Sequence, residues 1–145
     1  MPETQHRQVP LHVVREYNRR LQRYMRLVTV QAGSDIREAV NQMQIYGISQ
    51  LPVLAGERVV GSLDERALLE RLVTTDEFLR GTVAEFMQPP LPALDEAAAL
   101  DEALDLLRGG ASGVIVTQSG APVGILTAAD LIAFKVYGGH IEYEI

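Results

Sequence analysis

The spacing of hydrophobic and polar residues follows one plan twice along the chain. Apolar residues on one face of a helical period predict helices, and short apolar runs between turn residues predict strands. The first occurrence predicts, in order, a strand, a helix, two strands and a helix at residues 27–30, 36–46, 50–54, 59–63 and 65–73. The second predicts the same order at residues 91–94, 100–107, 113–117, 122–126 and 128–134.

The two occurrences form an internal repeat with a period of about 63–64 residues, because Gly61-Ser62-Leu63 corresponds to Gly124-Ile125-Leu126. One unit of this size is too small to bury both faces of its sheet, so we expect the two units to pack sheet against sheet. The predicted fold is of the α/β (α+β) class. It has two β-α-β-β-α repeats with pseudo-two-fold symmetry, preceded by an N-terminal helix. Pro52 suggests an edge or an irregular start for its strand.

The patterns divide the 145 residues into four segments. They are an N-terminal basic amphipathic helix or linker at 1–26, a first repeat at 27–82, a second repeat at 83–136 and a C-terminal tail at 137–145. The first segment contains six arginines and two glutamates, although the whole chain has a net charge of −6. Its apolar residues from Leu11 to Met25 recur with helical spacing, which favours a helix packed on the body over an arm that docks on another chain.

Composition excludes several classes of protein. The chain has no cysteine, which excludes a disulfide framework, a thiolate nucleophile and a cysteine–zinc site. No apolar run has the length of a membrane span and no signal-peptide pattern is present, so we expect a cytoplasmic protein without a membrane partner. The acidic body argues against binding to duplex nucleic acid, which depends on phosphate contacts.

The segment from Gly124 to Asp130 carries the most informative chemistry. An apolar strand ends there and a helix begins at Thr127, with Asp130 three residues later in the pattern of a capping box. Capping alone accounts for this pair. A second interpretation is a ligand site, since a helix N-terminus also offers free N–H groups, and a carboxylate can accept hydrogen bonds from a vicinal diol such as ribose.

The sequence gives little support for a metal site or a catalytic site. The three histidines lie near the termini and none has the spacing of a metal ligand, so we expect no metal site. No nucleophile-elbow or Walker pattern occurs, and we assign no catalytic residue. We therefore expect a protein that is not an enzyme.

The ordered set of motifs resembles a tandem cystathionine β-synthase (CBS) domain pair, also called a Bateman module. The resemblance is strongest to the C-terminal regulatory pair of bacterial cystathionine β-synthase-type enzymes. It covers residues 25–136 and depends on Tyr46-Gly47-Ile48-Ser49-Gln50-Leu51-Pro52-Val53, Val59-Val60-Gly61 and Val123-Gly124-Ile125-Leu126-Thr127-Ala128-Ala129-Asp130. No single motif is strong, but the set occurs twice at constant spacing.

The resemblance implies a regulatory role in which AMP, ADP, ATP or S-adenosylmethionine binds non-covalently in the cleft between the repeats. By motif position, Asp130 holds the ribose and Thr127 contacts the sugar or phosphate. The remaining residues implied for the site are Gly124, Ile125 and Ala129 in the second repeat, Ile48, Gln50 and Pro52 in the first, and Arg26 and Val28 near the base. The absence of basic residues at the helix start favours S-adenosylmethionine or AMP over ATP.

The first repeat departs from this pattern, because Asp64 replaces the hydroxyl residue and Ala67 replaces the ribose-binding acid. Ala67 accepts no hydrogen bond through its side chain and Asp64 would repel a phosphate. We therefore expect one competent site and one degenerate site.

The resemblance also implies a homodimer formed through the CBS helices, and an upstream catalytic domain or a partner enzyme that the pair regulates. Two alternatives remain at this point. One is a CBS dimerisation or interaction module that binds no nucleotide. The other is a nucleic-acid-binding protein that uses its arginine-rich N-terminal helix.

Overall fold

The computed structural model describes residues 8–21, 27–74 and 80–137. Helix α1 (Leu11–Leu21) comes first. It is followed by β1 (Val30–Gln31), α2 (Ile36–Tyr46), β2 (Gln50–Ala55), β3 (Arg58–Asp64), α3 (Glu65–Thr74) and the short α4 (Val83–Phe86). The last five elements are β4 (Ala93–Asp95), α5 (Leu100–Arg108), β5 (Val114–Gln118), β6 (Ala121–Leu126) and α6 (Ala128–Tyr137). The predicted order β-α-β-β-α is confirmed in both halves of the chain.

The chain forms two compact units. The first unit is Val28–Leu91, and the second unit contains the described residues up to Leu27 together with those from Pro92 onward. Helix α1 therefore belongs to the second unit and α4 belongs to the first. The segments defined from the sequence treat α1 as separate and place α4 at the start of the second repeat, so the compact units differ from those segments at both points.

Each unit contains one three-stranded sheet, in the order β1-β2-β3 or β4-β5-β6. The first pair of strands is parallel and the second pair is antiparallel in both sheets. Val53 pairs with Gly61 in one sheet, and Val116 pairs with Gly124 in the other. The glycine of each repeat therefore occupies the same register position, as the sequence alignment predicts.

Pro52 lies in the central strand β2, so the edge-strand alternative is wrong, although the start of β2 up to Pro52 is paired only with β3. It pairs with Ser62 of β3, whose backbone N–H and carbonyl instead bond Gln88 at 2.9 and 2.8 Å. The missing N–H of Pro52 therefore points toward the side occupied by β1. Strand β1 pairs only with Val53 and Leu54, so no ladder hydrogen bond is lost at Pro52.

Each unit has its own hydrophobic core. Buried residues of the first core include Ile36, Ala39, Leu51, Val53, Leu63 and Val83. Those of the second core include Val9, Leu11, Val14, Val114, Val116, Leu126, Leu131 and Phe134. Because Leu11 and Val14 are fully buried in the second core, α1 packs on the body of the protein, as the favoured interpretation predicts.

The segment at the start of α1 completes the second unit in the same way that the segment around α4 completes the first. The N–H of Leu11 donates to Ala98 O at 2.9 Å, and the N–H of Val83 donates to Ser34 O at 2.8 Å. The return bonds also match, from Leu100 N–H to Val9 O and from Ile36 N–H to Gly81 O. Residues 9–14 are therefore an integral part of the second compact unit.

Candidate functional site

The predicted ligand motif lies where β6 passes into α6 in the second unit. Strand β6 ends at Leu126 and helix α6 begins at Ala128, which leaves Thr127 at the junction. Leu126 and Leu131, on either side of the motif, are both buried in the core. Thr127 and Asp130 are half-buried between these two anchored residues, so the core fixes the backbone that presents them.

Thr127 and Asp130 are joined by two hydrogen bonds. The backbone N–H of Thr127 donates to Asp130 Oδ2 at 2.9 Å, and the Thr127 hydroxyl donates to the same oxygen at 3.1 Å. The N–H of Leu131 donates to Thr127 O at 3.2 Å and closes the first helical turn. The capping interpretation is therefore correct for the backbone bond of Asp130, but the hydroxyl of Thr127 acts here as a donor to the carboxylate.

This arrangement determines what the pair can offer to a ligand. The hydroxyl hydrogen of Thr127 is used by Asp130, so Thr127 Oγ1 presents only lone pairs, and Asp130 Oδ1 is a second acceptor. Two neighbouring acceptors match two hydroxyl donors, as in a vicinal diol. An ionised phosphate offers only acceptors and would meet the negative charge of Asp130.

The corresponding turn of the first unit is capped differently. Asp64 Oδ1 accepts hydrogen bonds from the N–H groups of Arg66 at 2.8 Å and Ala67 at 3.3 Å. One side chain therefore caps α3 without a partner three residues later. Ala67 occupies the position of Asp130 and supplies no side-chain acceptor, so this turn lacks the acceptor pair.

The other predicted site residues are distributed over both units. Ile125 is half-buried, Gly124 is buried and Ala129 is exposed in the second unit. Val28, Ile48, Gln50 and Pro52 belong to the first unit, where Pro52 is buried and the other three are half-buried. Arg26 lies outside the described residues. That these residues form one site with Thr127 and Asp130 stays a prediction.

Sequence reasoning missed Arg15, which covers Gly124. A Cβ atom on Gly124 would lie 2.8 Å from Arg15 Cδ, and the three nearest atoms around it all belong to Arg15. The Arg15 guanidinium donates to Glu96 Oε2 at 3.4 Å. Residues 9–14 and 81–86 share no identical residue, so the sequence contains no clear signal for this contact, and the correspondence of the two segments is seen in their backbone hydrogen bonds.

The basic side chains described in the second unit include Arg15, Arg108 and Lys135. Arg15 pairs with Glu96, Arg108 lies 4.0 Å from Asp105, and Lys135 is exposed in the last turn of α6. Within the described ranges, no cluster of three or more His, Asp or Glu side chains has the arrangement of a metal site. No helix in the same ranges is long and apolar enough to cross a membrane.

Comparison with known proteins supports this architecture. The family model for the CBS domain matches residues 7–74 and 83–137. Inosine-5'-monophosphate dehydrogenase of Aquifex aeolicus is 31% identical over 122 residues, which are 81% of this chain and 24% of that protein. The chain therefore spans about a quarter of the length of this relative.

Two solved structures illustrate the similarity of the fold. A CBS-domain containing protein from Agrobacterium tumefaciens has a TM-score of 0.73 and 20% identity, with 86% of this chain and 97% of that chain covered. CBSX2 in complex with AMP has a TM-score of 0.62 and 21% identity, with 76% and 87% covered. With two matched segments that together span most of its length, this chain belongs to the CBS domain family and contains two CBS domains in tandem.

Proposed function

We propose that this protein is a regulatory sensor that binds an adenosine-containing ligand at one site, through Thr127 and Asp130. The observation that carries the proposal is the pair of acceptors at the start of α6, which the equivalent turn of the first unit lacks. In this proposal Asp130 Oδ1 and Thr127 Oγ1 accept hydrogen bonds from the two ribose hydroxyls. The role is regulatory because tandem CBS domains form a regulatory pair, and the IMP dehydrogenase similarity covers only a minor part of that enzyme.

The acceptor pair favours ligands with little negative charge near the ribose. A polyphosphate needs arginine or lysine side chains close to its oxygens. Arg15 is already paired with Glu96, and Lys135 lies in the last turn of α6. We therefore rank S-adenosylmethionine and AMP above ADP and ATP. The AMP complex of CBSX2 supports an adenosine nucleotide as a ligand for this fold.

The opposite wall of the site, in our proposal, comes from the first unit. Ile48, Gln50 and Pro52 would line it, with Val28 and Arg26 near the base of the nucleotide. A ligand held by residues of both repeats would favour one relative arrangement of the units over others, and differential affinity of this kind is the basis of allosteric control.

We further propose that the protein is a homodimer and that the dimer transmits this change to an upstream catalytic domain or to a partner enzyme. The last helix of each unit leaves apolar side chains exposed at equivalent positions. They are Leu69 and Val73 on α3, and Ile132 and Val136 on α6, each more than half exposed. Each helix therefore presents apolar side chains at i and i+4, and a stripe of this kind is suited to contact with a helix of a second copy of the chain.

Isothermal titration calorimetry of the full chain with AMP, ADP, ATP and S-adenosylmethionine tests the proposal. We expect at least one ligand to bind with a stoichiometry of one per chain, and 2'-deoxy-AMP to bind at least tenfold more weakly than AMP, since removing one hydroxyl leaves an acceptor unpaired. Asp130→Ala should weaken the binding of AMP and reduce the difference between the two nucleotides, because it removes one acceptor of the pair. Absence of binding by all four ligands would refute the proposal and favour a CBS interaction module without a nucleotide.

A further inference from the structure

The cover over the glycine of each repeat is the clearest difference between the two units outside the ligand motif. In the first unit, a Cβ on Gly61 would meet Met87 Sδ at 2.6 Å and the backbone carbonyl of Gln88 at 2.9 Å. In the second unit, Gly124 is covered by the side chain of Arg15. A methionine side chain is thus replaced by an arginine, whose methylene carbons contact the strand that leads into Thr127.

Arg15 is held at both ends of its side chain. Its backbone belongs to α1, whose residues Leu11 and Val14 pack in the same core as Leu126 and Leu131. Its guanidinium contacts Glu96, and the backbone carbonyl of Glu96 accepts the N–H of His12 from the same helix. The contact between Arg15 and Gly124 therefore belongs to a set of interactions that joins three elements: α1, the turn that follows β4, and the strand β6.

The side chain is nevertheless incompletely satisfied. Arg15 Nε is buried and finds no hydrogen-bond acceptor among the described residues. A buried donor without a partner is unfavourable, so a displacement of Arg15 that hydrates this group is partly compensated. Gly124 allows the present position because it has no side chain of its own.

We propose that Arg15 is a positioning residue for the ligand motif: by lying across Gly124 and pairing with Glu96, it ties α1 to the strand that presents Thr127 and Asp130. The inference rests on the proposed function of that motif. If Arg15 has this role, a change in the position of α1 alters ligand affinity. By thermodynamic linkage, ligand binding then alters the position of α1. The N-terminal helix is then the path by which a preceding segment or partner communicates with the site.

A double-mutant cycle tests this link in the full chain. Arg15→Ala removes the cover, and Gly124→Ala places a methyl group where Arg15 lies while meeting only its flexible side chain. We expect each variant to weaken the affinity for AMP and S-adenosylmethionine by roughly threefold to tenfold, and the double variant to be no weaker than either single one. Arg37→Ala, which breaks an exposed arginine–carboxylate pair in the first unit, is the matched control and should leave affinity unchanged.

A second measurement does not depend on any ligand. Amide hydrogen exchange at Thr127, whose N–H donates to Asp130, should be faster in both single variants than in the wild-type protein, and unchanged in the control. Additive losses of affinity, or unchanged exchange at Thr127 in Arg15→Ala and Gly124→Ala, would overturn the inference. If wild-type protein binds no adenosine-containing ligand, the proposed function fails, and exchange at Thr127 still decides whether Arg15 positions the motif. Gly124→Ala provides the same decision if Arg15→Ala does not fold.

Discussion

Replacing Asp130 by alanine should affect stability and ligand binding to different extents, because the carboxylate has two functions. The substitution removes the carboxylate oxygen that accepts two hydrogen bonds from Thr127, at 2.9 and 3.1 Å. Loss of a helix cap costs about 0.5–2 kcal/mol, and a loss of about 1 kcal/mol lowers the melting temperature of a domain of this size by roughly 2–4 °C. Loss of the ribose contact should weaken ligand binding by about 1.5–3 kcal/mol, or roughly tenfold to a hundredfold.

The chain contains its own control for the first effect. Asp64→Ala removes the equivalent cap of α3, where Asp64 Oδ1 accepts two backbone hydrogen bonds. Without ligand, melting followed by circular dichroism should show similar losses for Asp64→Ala and Asp130→Ala. Isothermal titration with AMP and S-adenosylmethionine should show weaker binding for Asp130→Ala alone, while Asp130→Asn, which retains one carbonyl acceptor, should lie between wild type and Asp130→Ala.

One result would refute this reasoning. Asp64→Ala and Asp130→Ala could lower the melting temperature by the same amount and both leave ligand affinity unchanged. Asp130 would then be a helix cap that makes no contact with the ligand. A loss of affinity in Asp64→Ala as large as that in Asp130→Ala would instead contradict the assignment of a single competent site. Both outcomes are separable from a failure to fold, since melting without ligand is measured on the same samples.

Three further predictions follow from other contacts. Gly61→Ala should destabilise the protein by about 1–3 kcal/mol in urea unfolding, and more than Gly124→Ala, because a Cβ at Gly61 meets backbone as well as a side chain. The side-chain hydrogen bond from Arg37 to Asp35, followed by the backbone hydrogen bond from Arg37, lowers the pKa of Asp35 from its usual value of 3.8. The ionised Asp35 should therefore stabilise the protein above pH 3.8, and this stabilisation should disappear as the pH falls through the lowered pKa. The urea midpoints of wild type and Asp35→Asn, compared from pH 6 to pH 2, should therefore converge at the acid end. Leu69→Glu should convert the proposed homodimer to monomer in sedimentation experiments with little change in circular dichroism, and a persistent dimer would exclude the α3 surface as the interface.

Most of the fold was predictable because local patterns and tertiary packing agree. The apolar periods that predict α2 and β2 supply the residues of the first core, such as Ile36 and Leu51, and the second unit repeats this with Leu100 and Val114. The predicted ends of a strand differ from the observed ends where the strand is short. The first strand was predicted at 27–30 and is Val30–Gln31, because β1 pairs through only two residues.

The parts that sequence could not supply depend on contacts between distant segments. Pro52 is tolerated in a central strand because β1 is too short to reach it, and this depends on the length of a neighbour. One further detail is local: a capping pattern allows the Thr127 hydroxyl either to donate or to accept, and the structure shows that it donates to Asp130. The contact of Arg15 with Gly124 joins residues far apart in sequence, so only the three-dimensional structure places them together.

The two units provide an internal comparison of what the fold requires with what the site adds. To cap the last helix and cover the preceding strand, the first unit uses Asp64 and Met87, so these tasks need only one acid and one apolar side chain. The second unit performs the same tasks with Thr127, Asp130 and Arg15, which bring an acceptor pair and a buried guanidinium Nε without a partner among the described residues. Since the simpler solution is present in the same chain, capping and packing alone do not explain the added polar groups. The acceptor pair lies at the turn from β6 to α6 and Arg15 contacts Gly124 of β6 itself, which is the reason to seek ligand recognition and its coupling to α1 at this strand and turn.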